Sequence, residues 1–195
     1  MIKQLFKYFK SNKMKNFIEI GSNNFQTLLP FSDHGWNGVV VEPLAEYIDD
    51  LPEAENVTFV KAAITDHDGT AIINVYNQEL CDSDSDYRGM STLEKEGLTE
   101  ANADVMHEEE VDCLTYQTLI DTHCSGWSQL DMLRICTEGH DLKILQSIDL
   151  EGPLRPKVIK IQHFHCNDVE MRDLLHASGY FIFVEQYDMY AVSYE

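Results

Sequence analysis

From Phe17 onward the chain repeats one pattern, in which short runs of aliphatic and β-branched residues are separated by polar stretches. The runs are "FIEI", "GVVVEP", "VTFVKAAI", "AIINVYN", "VDCLT", "DMLRIC", "KVIKIQHF", "YFIFVEQ" and "MYAVS". Those that are apolar throughout read as strands buried on both faces, as in a parallel sheet covered by helices. Several are followed by segments of helical length: "AEYIDDLPEA", "HDLKILQSID" and "DVEMRDLLHASG". Strands alternating with helices predict a doubly wound α/β domain. The last two runs leave no room for a crossover helix and predict a closing hairpin. The expected fold is therefore α/β, a doubly wound, mostly parallel Rossmann-like sheet of about seven strands with a C-terminal antiparallel hairpin.

Two segments depart from this pattern. In "MIKQLFKYFK", Ile2, Leu5, Phe6 and Phe9 share one helix face with lysines on the others, which predicts an amphipathic helix over residues 1–12. A helix docked on the domain is the plainer reading, and contact with an anionic surface the sharper one. Residues 78–110 are acidic, polar and weakly periodic, and read as a solvated insertion. Within them "GMSTL" is small and uncharged, as suits a loop that packs back over a site. With no repeat and no linker composition, residues 1–195 read as a single domain.

Charge narrows the choice of partners. Fourteen basic and 34 acidic residues give a net charge of −20, which repels phosphate backbones and disfavours nucleic acid. Five lysines and no acid fall within the first fifteen positions. No apolar run is long enough to span a bilayer, so no transmembrane segment is expected. The N-terminus lacks the pattern of a secretory signal, and the five cysteines are widely spaced without a C-x-x-C pair. Reduced thiols and a cytoplasmic location are the expectation. Homo-oligomerisation is left open.

In an open α/β sheet, ligands sit at the carboxyl ends of the strands. The first strand runs into Glu19-Ile20-Gly21-Ser22-Asn23, and Gly21 permits positive φ or close backbone approach. One glycine, in place of G-x-G-x-x-G, argues against a diphosphate and hence against a dinucleotide-dependent dehydrogenase. The second strand ends in Glu42, about 20 residues on, at the spacing of an acid that accepts ribose hydroxyls. Ala63 and Ile64, at the expected end of the third strand, suit the flat edge of an adenine. Cys136 and Glu138 alternate after the fourth strand, and His163 and His165 after the fifth. If the strands stay regular, each pair points to one face. No standard zinc spacing appears, and no metal is expected.

Taken together, "FIEIGSN", "VVVEP", "AAITDHDG", "GMSTL", "VDCLTYQTLID", "MLRICTEGHDLKILQSI", "PKVIKIQHFH" and "LLHASGY" resemble the FkbM family of S-adenosylmethionine-dependent methyltransferases over residues 17–193. The family's Asp-x-Gly-x-Asn reads here as Glu19, Gly21 and Asn23. Its Ile-Asp-x-Glu-Gly reads as Ile135, Cys136, Thr137, Glu138 and Gly139, and its Glu near the end of the fifth strand gives way to Gln162 and His163. The resemblance implies S-adenosylmethionine as cofactor and transfer of its methyl to a hydroxyl of a sugar or small metabolite. It assigns Glu19, Gly21 and Asn23 to the methionine portion, Glu42 to the ribose, Ala63 and Ile64 to the adenine, and Ser91 with Thr92 to the cover of the pocket, and it puts Cys136 where the family's aspartate would hold the cofactor's amino end or the acceptor. His163 or His165 is the expected base, because imidazole titrates near neutral pH, with Glu138 positioning it or the acceptor. The neutral Cys136 supports a rival reading, a cofactor-binding or regulatory module without turnover.

Overall fold

The structure is a computed structural model and describes residues 15–77, 89–94 and 106–194. The helix expected over residues 1–12 and much of the insertion expected over 78–110 lie outside the described residues. The strands are β1 (Asn16–Ile20), β2 (Asn37–Val41), β3 (Val57–Val60), β4 (Ala63–Thr65), β5 (Gly69–Tyr76), β6 (Met106–Thr115), β7 (Leu130–Ile135), β8 (Pro156–Gln162), β9 (Tyr180–Glu185) and β10 (Asp188–Ser193). The helices are α1 (Ala45–Ile48), α2 (Tyr116–His123), α3 (Asp141–Ser147) and α4 (Asp168–Ala177), with a 3-10 helix at Leu29–His34.

Seven strands form one sheet in the order β3-β2-β1-β7-β8-β10-β9. Strands β3 to β8 in that order run parallel, and β10 pairs antiparallel with both β8 and β9. The central strands β1 and β7 are buried along their whole length. Such strands are buried along their length because both faces are covered. On one face Ile18, Ile20 and Leu133 pack with Leu119 of α2, Ile144 of α3 and Met171 of α4. On the other, Phe17, Val40 and Met132 pack with Leu29 and Phe31 of the 3-10 helix and Ile48 of α1. Local capping supports the helices: the Thr115 hydroxyl accepts from the Thr118 amide at 3.0 Å, and the Asn167 side chain from the Glu170 amide at 3.3 Å. The hairpin closes through Gln186, whose φ is +54°.

Three expectations need correction. The run "VTFVKAAI" is not one strand. The chain turns after Val60, with the Ala62 amide donating to the Val60 carbonyl at 3.1 Å, and resumes as β4 in a second sheet. That sheet, in the order β4-β6-β5, also takes "AIINVYN" and "VDCLT" out of the main one. Tyr47, Leu44, Ile73 and Val111 form the core between it and α1. Finally, residues 106–110 of the acidic insertion belong to β6, where the glutamates stay exposed while the backbone pairs with β5.

Candidate active site

The order of the main sheet reverses direction at β1, which has β2 on one side and β7 on the other. Side chains at the carboxyl ends of these strands meet in a cleft. Gly21 leaves β1 with φ +74°, its amide donating to the Val41 carbonyl at 2.9 Å. A Cβ placed there would lie 2.0 Å from the Cys136 carbonyl oxygen, so only glycine lets β1 turn this close to the end of β7. Two residues on, the Asn23 amide donates to Glu42 Oε2 at 2.7 Å, and the Leu44 amide donates to Glu42 Oε1 at 3.1 Å. Glu42 is 5% exposed, and burial pushes its carboxyl up to about 7 despite these two amides. Each carboxylate oxygen still has a lone pair for a further donor.

The cleft is shallow and opens to solvent. Gly21, Asn23, Glu42 and Pro43 line one side, Ala63, Ile64 and Ile73 another, and Cys136 with Thr137 the end nearest β7. Gly89, Ser91 and Leu93 form the remaining wall. The "GMSTL" island thus lies over the cleft. Thr92 fixes it there: its amide and carbonyl exchange hydrogen bonds of 3.0 and 2.8 Å with Asn74, and its hydroxyl donates to the Glu138 carbonyl at 2.7 Å. Glu94 adds a second anchor, with Oε1 2.6 Å from His140 Nδ1 and 2.7 Å from Lys143 Nζ. Burial opposes ionisation of Glu94, but these two partners hold its carboxyl below the usual range.

Behind the Cys136 wall lies a second group. Cys136 Sγ is 3.9 Å from Glu138 Oε1, which also accepts from Gln162 Nε2 at 2.9 Å. Glu138 Oε2 is 3.4 Å from His165 Nε2. Burial pushes the Glu138 carboxyl up to about 7 and the Cys136 thiol up to about 12, so the thiol is neutral at ordinary pH. Asp141 shapes the turn that presents Glu138, accepting from the Thr137 and Gly139 amides at 3.0 Å each. The "EGHD" block therefore has four separate tasks. Glu138 faces Gln162 and His165, Gly139 turns at φ +110°, His140 holds Glu94, and Asp141 ties the turn.

The structure brings Gly21, Asn23, Glu42, Ala63, Ile64, Ser91 and Cys136 together in the cleft. Glu19 lies beneath it, fully buried, with Oε1 3.1 Å from Arg134 Nη1 and Oε2 accepting from the Leu28 amide at 2.9 Å. The strand-alternation premise fails for the two other pairs, because β7 ends at Ile135 and β8 at Gln162. Glu138 reaches Cys136 only through a left-handed backbone, φ +52°. His163 and His165 diverge: His163 Nε2 lies 3.2 Å from the Gln186 carbonyl, on the hairpin side. Sequence reasoning missed Arg134, which also donates to the Gly21 carbonyl at 3.0 Å. A glutamate in "FIEI" and an arginine in "DMLRIC", charged residues inside buried strands, were the available signal. Among the described residues, no three His, Cys, Asp or Glu side chains gather as a metal site.

A carboxylate at the end of β2 facing a single-glycine turn after β1, on a sheet of this order, defines a Rossmann-like methyltransferase fold. The sequence matches the model of the methyltransferase FkbM domain over residues 17–182, and the chain belongs to that family. Among solved structures, the METTL16 methyltransferase domain is similar at a TM-score of 0.53 and 12% identity, over 100% of this chain and 65% of that one. This chain thus spans somewhat less than two thirds of that structure. Precorrin-6y C5,15-methyltransferase from Geobacter metallireducens GS-15 aligns at 0.49 and 14% identity, over 98% and 86% of the two chains. Magnesium protoporphyrin IX methyltransferase from Synechocystis PCC 6803, solved with bound SAM, aligns at 0.45 and 8%, over 98% and 76%. No curated protein matches the sequence.

Proposed function

We propose that this chain binds S-adenosylmethionine in the cleft and methylates a hydroxyl of a sugar or small metabolite, with Glu138 accepting the hydroxyl proton. The observation that carries this reading is the Glu138 carboxyl, held by Gln162 at 2.9 Å directly behind the cleft wall, where burial pushes it up to about 7. A base with that pKa is half ionised at neutral pH and still strong enough to receive a proton.

The lining suits the cofactor. Glu42 has lone pairs to spare for two ribose hydroxyls, and Ala63 with Ile64 offers an apolar wall for a flat base. Among the described residues the lining includes no lysine or arginine, which fits a nucleoside better than a diphosphate. Gly21, Asn23 and Cys136 border the end toward β7, where the methionine portion would lie, and Ser91 covers it. Glu19 acts through Arg134 and Gly21, positioning the glycine turn from below. When bound, S-adenosylmethionine supplies an electrophilic methyl group on a cationic sulfur. Gln162 orients the Glu138 carboxylate toward the acceptor, and His165 passes the proton from Glu138 to solvent. The base is thus assigned to the carboxylate and the relay to the imidazole, the reverse of the roles read from sequence.

Binding without turnover is the second reading, favoured by one observation: Cys136 stands neutral where the family pattern has an acid. Isothermal titration with S-adenosylmethionine, paired with a tritiated-methyl assay over hydroxyl acceptors, separates the two. The proposal expects binding that weakens at least about tenfold in Glu42→Ala, together with labelled product. Binding with no product over a broad panel favours the second reading, and no binding sinks both. Among the described residues no helix is long and apolar enough to cross a membrane.

A further inference from the structure

The loop after β8 carries a feature that methyl transfer alone does not use. Phe164 and Tyr187 are each 60% exposed, yet their rings meet edge to face with centroids 4.9 Å apart and planes at 72°. Phe164 makes a second edge-to-face contact, at 4.6 Å and 78°, with the imidazole of His165. The rings come from different elements, the β8–α4 loop and the β9–β10 turn. His163 joins these elements: its amide donates to the Tyr187 carbonyl at 3.0 Å, and its ring reaches the Gln186 carbonyl at 3.2 Å.

The position of this pair indicates what covers it. From the cleft wall, contacts run from Cys136 Sγ to Glu138 at 3.9 Å, from Glu138 to His165 at 3.4 Å, and from His165 to Phe164. The aromatic surface therefore begins at the proposed proton acceptor and extends away from the cofactor cleft. Gln162 Oε1, on the same strand end, is buried with no hydrogen-bond partner, and can accept from a second hydroxyl. Nearby cations are already committed, Lys143 to Glu94, Lys160 to Asp188 and Arg134 to Glu19. An anionic acceptor would meet Glu138 with no free counter-charge among them.

We infer that Phe164 and Tyr187 form the acceptor platform of the site, and that the acceptor is a neutral ring alcohol. Its apolar C–H face lies on the two side chains while one hydroxyl reaches Glu138 and a neighbour reaches Gln162. His163 is then a positioning residue that joins the two halves of the platform. This inference rests on the methyl-transfer reading.

Saturation-transfer NMR on protein saturated with S-adenosylhomocysteine tests it, using a methyl glycopyranoside, cyclohexanol and the phosphate monoester of each. The expected result is saturation of ring C–H protons in at least one neutral probe and weaker binding of its phosphate ester. Phe164→Ala and Tyr187→Ala should each lower that affinity about three- to tenfold, with Phe164→Tyr close to wild type and S-adenosylhomocysteine affinity within twofold. Both rings are exposed, so their removal leaves the core intact, and unchanged thermal melting verifies it. Preference for the phosphate esters, equal binding by the alanine variants, or no binding of either neutral probe overturns the platform while leaving the cofactor reading intact. Failure to bind S-adenosylhomocysteine overturns the methyl-transfer reading, and the platform with it.

Discussion

Glu138 combines three properties that rarely coincide: a left-handed backbone at a non-glycine residue, a largely buried carboxyl, and a pKa pushed to about 7. If it is the base, the rate under kcat/KM conditions should rise with pH and level off above about 7, as the carboxyl loses its proton. Glu138→Gln should lower kcat by at least about 100-fold while cofactor affinity stays within twofold, measured by single-turnover kinetics and titration calorimetry. A variant retaining most of its kcat would remove Glu138 from that role. Gly21 makes the complementary case, since its importance is geometric. Gly21→Ala places a methyl 2.0 Å from the Cys136 carbonyl at φ +74°, and should destabilise the fold by about 2 kcal/mol or more in urea denaturation. The glycine was readable in the sequence as a turn. That its neighbour is Cys136 was not, because the two are brought together by the β1–β7 register.

Pairing of β1 with β7 sets Glu19 opposite Arg134 in the parallel register. Both are buried, and the guanidinium also holds the Gly21 carbonyl, so this pair connects strand packing to the cleft turn. Removing one partner leaves the other charge buried and unpaired. Glu19→Gln should therefore cost about 3 kcal/mol of stability, read from chemical denaturation, yet leave cofactor affinity within about threefold below the transition. A large loss of affinity with stability intact would instead place Glu19 in contact with the cofactor. At this scale the sequence was a good guide to which runs are strands and a poor one to where they end. Apolar, β-branched composition marks a buried strand whatever its partner, but the break after Val60 and the second sheet depend on which edge each strand finds. The same limit explains the histidines. Their two-residue spacing meant a shared face only if β8 continued past Gln162.

At the scale of the whole molecule, burial outweighs pairing at four carboxyls. Glu42 and Glu138 are both pushed from about 4.5 to about 7, chiefly by burial, and Glu19 and Asp141 are raised in the same direction. In the folded state these groups bind protons more tightly than in the unfolded chain. For Glu42 and Glu138 the contribution to stability is therefore fully present below about pH 4.5 and is lost as pH rises through 7, at roughly 3 kcal/mol each. Relief of self-repulsion in a chain of net charge −20 acts in the same direction. Thermal melting should accordingly show a higher Tm at pH 5.5 than at pH 8, with a shallower difference in Glu138→Gln. A Tm that rises between those pH values would contradict these ionisation states. The sequence by itself determined the α/β class, the main strands, the glycine turn with Glu42 after it, and the "GMSTL" island as a covering loop, because periodicity, turn chemistry and charge are local properties. Only the tertiary structure decided that Glu19 pairs with Arg134, that Glu138 meets Gln162 and His165, and that Phe164 stands beside Tyr187. Each of these joins residues from strands or loops distant along the chain, and such contacts follow from sheet register and loop closure, which no local pattern encodes.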